Sequence, residues 1–261
     1  MNKLDTLKQV KILTNKIHIG NLILVNQKSP IIDKEELFSN ELVEKDKVAL
    51  NIECFYYLNQ LLKQCNANYK IVLVSGYRTK KFQEKIYNDT IKESGLEFAK
   101  SYVAYPNTSE HQTGLAIDVG LKQDKIDFIR PSFPSTSKIC ANFKDIADKF
   151  GFINRYTLQK EKITKIKEEE WHFRYVGYPH SSIIKNNNFC LEEYIDYIKS
   201  YKINNPYKFV ANNNTIYIYY VKANEKETMV PVEDNCTYKI SGNNVDGFII
   251  TTFKNMEGSL I

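Results

Sequence analysis

Histidine is scarce in this chain: four in 261 residues, at positions 18, 111, 172 and 180. Long apolar runs are scarce too. Met1 to Lys16 is polar and charged, which excludes a signal-peptide core or a membrane anchor there and predicts a soluble, cytoplasmic protein with no membrane span. The five cysteines (54, 65, 140, 190 and 236) are odd in number and form no CxxC pair, so a disulfide framework is not expected. Cys54 and Cys65 fall in an apolar helical pattern, where a reduced thiol acts as a small hydrophobe. A dominant charge of one sign is also missing. The net charge is +5, and the densest basic stretch, Lys160 to Lys167, is cancelled at once by Glu168 to Glu170. That excludes a nucleic-acid footprint. What remains, 43% hydrophobic and 26% charged residues, is an ordinary globular composition with enough length for a sizeable core.

Patterning gives a mixed order of elements. Gly20 to Asn26 reads as a short strand closed by Pro30. Lys45 to Cys65 carries apolar residues at helical spacing, Ile71 to Val74 is a buried strand, and Thr79 is an N-cap for a helix reaching about Glu93. Leu96 to Thr108 is expected to be loop, Leu115 to Leu121 a strand bearing Asp118, and Lys138 to Phe150 a helix stopped by Gly151. Trp171 to Val176 is a further strand; Ser181 to Ile184 and Leu191 to Tyr201 are helices. After Asn204 the chain turns rich in Tyr, Ile, Val and Asn, with β patterns at Thr215 to Val221 and Phe248 to Phe253 and turns at Asn212-Asn213-Asn214 and Ser241-Gly242-Asn243-Asn244. The expected division is a main domain over 1–201 and a small all-β appendage over 202–261.

Two stretches hold the chemistry: Ser109-Glu110-His111-Gln112-Thr113-Gly114-Leu115-Ala116-Ile117-Asp118 and Glu169-Glu170-Trp171-His172. His111, Asp118 and His172 supply two imidazoles and a carboxylate, a donor set that leaves the fourth position of a zinc ion open for water. Taken singly, each has a bland reading: a surface histidine, a strand-end aspartate, a core histidine beside an aromatic. The small residues Gly114 and Ala116 would let backbone approach an ion. A free carboxylate is needed as base. Strand alternation puts Glu170 on the face of His172, and so favours Glu170 over Glu169. Arg78, just past a buried strand in Ser75-Gly76-Tyr77-Arg78-Thr79, could stabilise an oxyanion, although a helix-start arginine more often makes a surface ion pair. Gln83, one turn on, could add a hydrogen bond. Ser109 lacks a Gly-x-Ser-x-Gly elbow and is no nucleophile. His18 and His180 read as structural.

Together, Ser75-Gly76-Tyr77-Arg78-Thr79, Ser109-x-His111-x-x-Gly114-x-Ala116-x-Asp118 and Glu169-x-Trp171-His172 resemble the D-alanyl-D-alanine metallopeptidases of the VanX, VanY and VanXY type, most of all the VanXY group, over about residues 20 to 190. The resemblance implies an α+β fold of the hedgehog-like, D-Ala-D-Ala peptidase kind, with an antiparallel sheet carrying the metal. It implies Zn²⁺ on His111, Asp118 and His172, Glu169 as catalytic base, Arg78 polarising the scissile carbonyl, and Ser109 and Gln83 holding substrate. The expected substrates are the D-Ala-D-Ala dipeptide and the peptidoglycan precursor pentapeptide, whose removal or trimming contributes to glycopeptide (vancomycin) resistance. A murein endopeptidase of the same fold cutting L-Ala–D-Glu, and a non-catalytic zinc-binding module, are the rival expectations.

Overall fold

Four short strands with buried positions build the sheet that carries the site. In spatial order they are Ile71–Ser75, Ala116–Leu121, Glu169–Tyr175 and Phe152–Tyr156, and every neighbouring pair is antiparallel. The structure is a computed structural model describing residues 7–32, 36–39, 41–67, 69–211, 214–234 and 236–254. The fold is α+β. By contacts the chain divides into two compact units, Val25–Glu192 and a second one that joins Met1–Leu24 to Glu193–Ile261.

In the first unit, helix Ile52–Gln64 buries Cys54, Leu58, Leu61 and Leu62, the one stripe that its spacing permits. Asn51 starts it: its side-chain oxygen accepts from the amides of Glu53 and Cys54 at 3.0 and 3.3 Å. Helix Lys80–Ser94 is capped by the Thr79 hydroxyl, which accepts from Phe82 N at 3.1 Å. Helix Lys138–Ile146 continues as a 3₁₀ turn, Ala147–Phe150, and stops at Gly151 in the left-handed region (φ 85°), as its sequence predicts. Under the sheet, Phe133, Phe143 and Phe173 meet edge to face, with ring centroids 5.5, 5.8 and 4.9 Å apart.

Three expectations are corrected. Lys45 to Asn51 is not the start of a helix; Leu42–Lys45 and Val48–Asn51 form a hairpin whose two turn residues, Asp46 and Lys47, have φ of 53° and 66°. Leu96–Tyr102 is a helix rather than loop. Gly20 to Asn26 is not a strand: Leu22, Ile23, Leu24 and Val25 are all buried without alternating, and Leu22 N and Leu24 N donate to the Ser241 hydroxyl and the Asn243 carbonyl.

The second unit is dominated by β structure. Strand Leu7–Leu13 pairs antiparallel with Glu227–Glu233. A four-stranded antiparallel sheet runs in the order Thr237–Gly242, Gly247–Lys254, Asn214–Lys222, Tyr207–Ala211. Its core of Tyr219, Val230, Val232, Phe248 and Ile250 packs on Val10 and Ile12 of the first strand. Asn214 opens a strand, while Asn212 and Asn213 of the expected turn lie outside the described residues. All five cysteines are free. Among the described residues no helix is long and apolar enough to cross a membrane.

Candidate active site and metal centre

Strand register assembles the site. Ser75 pairs with Asp118, and Asp118 with His172, so the three residues sit side by side across three neighbouring strands. Directly opposed residues on antiparallel strands send their side chains to the same face. His111 arrives from a 3₁₀ turn, Glu110–Thr113, which Gly114 ends in the left-handed region at φ 71°. A Cβ on Gly114 would lie 2.8 Å from Leu42 Cδ2 and 3.1 Å from Asn51 N, so glycine is needed there twice over. His111 Nδ1 donates to the Gly76 carbonyl at 2.7 Å, which leaves Nε2 3.0 Å from Asp118 Oδ2. His172 Nδ1 is 2.9 Å from Asp118 Oδ1. The imidazoles meet at 85° with centroids 4.9 Å apart. One donor atom from each of the three buried side chains lies within 4.8 Å of the others, close enough to hold one ion.

Glu169 is buried and Glu170 is not. Glu170 turns outward to Lys144 Nζ and the Ser135 hydroxyl, both at 2.7 Å, whereas Glu169 lines the cleft with Oε2 3.7 Å from His172 Nδ1. Simple alternation fails because the strand pairing slips: Asn154 faces Phe173, but Tyr156 already faces Glu169. Asn154 Nδ2 occupies the slip, donating to the carbonyls of Glu169 and His172 at 2.9 and 3.3 Å.

Arg78 also enters the cleft. Its Nη2 donates to Asp118 Oδ2 at 2.7 Å, Nε to the Ser75 hydroxyl at 2.8 Å and Nη1 to Gln83 Oε1 at 3.3 Å, and Phe128 stacks on it at 5.4 Å. Three of the five guanidinium protons are thereby used and two remain. Gln83 is buried with Nε2 on the Ala104 carbonyl at 2.7 Å, so its amide holds Arg78 and the cleft wall. Ser109 is buried and lines the same cleft, whose empty volume, including its opening to solvent, is about 430 Å³. His18 bonds Asn244 at 2.6 Å and His180 is buried in a helix; neither lines the cleft.

Burial favours ionising none of these groups, and their partners decide which ones do. Asp118 is held well below the usual carboxylate range because the two imidazoles beside it, His111 first, outweigh burial. Burial, helped by the Arg78 guanidinium, pushes His111 down to about 4, so its Nε2 lone pair is free at neutral pH. Burial acts to lower His172 as well, but its bond to Asp118 and the nearby Glu110 carboxylate lift it to about 9. Burial raises Glu169 to about 8, with His172 opposing and Asp118 reinforcing the rise.

Sequence reasoning passed over Glu110, Tyr156, Arg155 and Arg174. Glu110 is wholly buried; its Oε1 accepts from Arg155 Nε at 2.8 Å and Arg174 Nη1 at 2.9 Å, and Tyr156 lies against the His172 ring with centroids 4.9 Å apart. The available signal was parity: Arg174 lies two residues beyond His172 and shares its strand face, but an arginine on a core strand is conspicuous only once its partner is known.

A family model described as VanY, D-alanyl-D-alanine carboxypeptidase, matches residues 47–178. The bifunctional D-Ala-D-Ala dipeptidase and carboxypeptidase VanXYC of Enterococcus gallinarum is 40% identical over 184 residues, 69% of this chain and 96% of that protein. The chain belongs to the VanY family. Within it, the crystal structure of the vancomycin-resistance D,D-dipeptidase VanXYg with a D-Ala-D-Ala phosphinate analogue is 44% identical, with a TM-score of 0.91 over 95% of this chain and 99% of that one. A VanY D,D-pentapeptidase from a VanB-type resistance cassette, a mutant solved with Zn(II), is 30% identical with a TM-score of 0.55 over 67% of this chain and 98% of that one. These VanY-family matches bear out the expected fold and the reading as a peptidase.

Proposed function

We propose that this VanY-family protein hydrolyses the D-Ala-D-Ala dipeptide, removes the terminal D-Ala from cytoplasmic peptidoglycan pentapeptide precursors, or does both, depriving glycopeptide antibiotics of their target. The observation that carries the reading is the convergence of His111, Asp118 and His172 in a cleft that also holds the buried Glu169 and Arg78. A non-catalytic metal module has no use for the last two.

The donor set fits zinc. Two imidazoles and one carboxylate are the ligand number of a catalytic rather than a structural site. Both tautomers are provided for, since Gly76 O takes the His111 Nδ1 proton and Glu110 Oε2 lies 3.6 Å from His172 Nε2. Bound there, zinc would acidify water and polarise a carbonyl. Glu169 accepts the proton of the attacking water and returns it to the departing amine; its burial and its place beside His172 support that role. Arg78 offers its two uncommitted protons to the oxygen on which negative charge develops. Gln83 and Ser75 keep the guanidinium from turning away. Ser109 is the polar group read as a contact for the substrate backbone. The dipeptide gives two D-Ala; the pentapeptide gives a tetrapeptide and one D-Ala.

Chromatographic assay of D-Ala release from dipeptide and pentapeptide, with and without a chelator, tests this. Chelator-sensitive release is expected from at least one of the two. No release from either, with cleavage of intact murein instead, would transfer the assignment to an endopeptidase.

A further inference from the structure

Among the described residues, two buried side-chain polar atoms have no hydrogen-bond partner: Glu110 Oε2 and His172 Nε2. They face each other at 3.6 Å. The rest of Glu110 is committed, because Oε1 takes protons from both Arg155 and Arg174. Arg155 is gripped from its other side by Glu192, through Nη1 at 2.9 Å and Nη2 at 2.7 Å, and Asn26 Nδ2 donates to Glu192 at 3.1 Å. Arg174 Nε is spent on the Tyr175 carbonyl at 3.0 Å. Glu110 therefore cannot rotate without breaking two buried charge-assisted hydrogen bonds, a costly outcome. Its second oxygen is a fixed acceptor aimed at one ring nitrogen.

We propose that Glu110 is a positioning residue for the metal site: by accepting the Nε2 proton of His172 it fixes the tautomer whose Nδ1 lone pair faces Asp118 and His111. The inference rests on the reading of those three residues as zinc ligands. A neutral imidazole carries one proton. On Nδ1, that proton would point at Asp118 Oδ1, 2.9 Å away, and block ligation through that nitrogen. On Nε2, it leaves Nδ1 bare. Asp118 favours the first tautomer and Glu110 the second, so Glu110 supplies the bias that ligation needs. The Gly76 carbonyl does the same for His111, from the opposite ring nitrogen. A ligand histidine held through its other nitrogen is oriented before the ion arrives.

Glu110→Gln tests this. The two guanidiniums require an acceptor on their side, so the amide NH₂ must face His172 and can only donate. His172 then gains a bond by carrying its proton on Nδ1. Competition with a chromophoric chelator, using zinc alone as the probe, is expected to show affinity lower by roughly 10–100-fold. The ¹⁵N ring signals of His172 in the zinc-free protein at alkaline pH are expected to move from Nε2–H to Nδ1–H, a change that loss of packing alone would not produce. Either wild-type affinity or wild-type ring signals in Glu110→Gln would overturn the proposal. Glu110→Asp serves if the glutamine variant does not fold: it keeps the charge between the arginines but draws the acceptor back, and a severalfold loss of affinity is expected, with an unchanged value counting against the proposal. Wild-type protein and His172→Ala are titrated in parallel. Binding that ignores His172 removes the zinc reading itself, whereas His172-dependent binding left intact by Glu110→Gln removes only the role of Glu110.

Discussion

Replacing Glu169 by glutamine changes one oxygen to an NH₂ in a buried side chain and removes the proposed base with little change in volume. Glu169 is not one of the three converging donors, so zinc content should stay near one per chain. A proton-transfer group contributes roughly 10²–10⁴ in rate, which at about 1.4 kcal/mol per decade is about 3–5.5 kcal/mol of barrier. The control is its neighbour. Glu170 is partly exposed, and its bonds to Lys144 and Ser135 lie outside the cleft. An ion pair of this kind is worth no more than about 1 kcal/mol of stability, so Glu170→Gln should turn over within about twofold of wild type. D-Ala release under saturating substrate, with metal content measured on the same samples, separates loss of the base from loss of the ion. Wild-type turnover in Glu169→Gln, with loss in Glu170→Gln, would show that the strand presents the other glutamate to substrate and that the slip opposite Asn154 has been misread.

Protein stripped of zinc should lose stability as pH rises from 6.5 to 8. His172 (raised to about 9) and Glu169 (raised to about 8) keep protons in the folded chain that the unfolded chain has released, at about 1.4 kcal/mol per pH unit for each retained proton. Below 6.5 His111, lowered to about 4, works in the opposite sense and flattens the curve, and thermal melts that show stability rising from 6.5 to 8 would refute the assignment. Phe173→Ala removes the ring between Phe133 and Phe143 on the strand that bears His172 and should cost about 3–5 kcal/mol in urea unfolding. Gly76→Ala puts a Cβ 2.3 Å from the Ala49 carbonyl and 2.8 Å from Val48 Cγ1, so it should cost about 1–3 kcal/mol by overpacking and, by shifting the carbonyl that holds His111, weaken zinc binding in the chelator competition.

The convergence of His111, Asp118 and His172 was legible because the residues that build it are local signals: a glycine that must adopt a left-handed turn, small residues beside it, and a strand on each side. Glu169 over Glu170 was not legible from alternation. It depends on a pairing slip filled by the Asn154 side chain of another strand, and only the family resemblance pointed to Glu169. The hairpin at Leu42–Asn51 was hidden by its successor. Val48 and Leu50 alternate as a strand should, but Ile52 starts a strong amphipathic helix, and a window covering both reads as helical. The helix Leu96–Tyr102 was hidden because Gly95, at φ 87°, ends one helix and begins the next. Strand Glu227–Glu233 contains Pro231 and pairs with Leu7–Leu13 from the far end of the chain, a partnership no local pattern announces.

The arrangement also explains why so many buried charges gather in one place. Glu110, Asp118 and Glu169 are buried and Glu192 nearly so, against the guanidiniums of Arg78, Arg155 and Arg174. With both imidazoles neutral, the state that ligation would require, the cluster has one negative charge too many, and in a medium of low dielectric that excess is expensive. Burial is the chief reason why the Glu169 carboxyl holds a proton up to about 8, and the Asp118 carboxylate beside it reinforces the rise. A divalent cation held by His111, Asp118 and His172 would reverse the balance to one positive charge, so that Glu169 could ionise and serve as the proposed base while the site still attracted an anion. A peptide ending in a carboxylate, and an oxyanion forming at its scissile carbonyl, are the charges such a site stabilises. The arginines behind His172 are therefore more than scaffolding, because without them the carboxylates that orient and accompany the ligands could not all remain ionised.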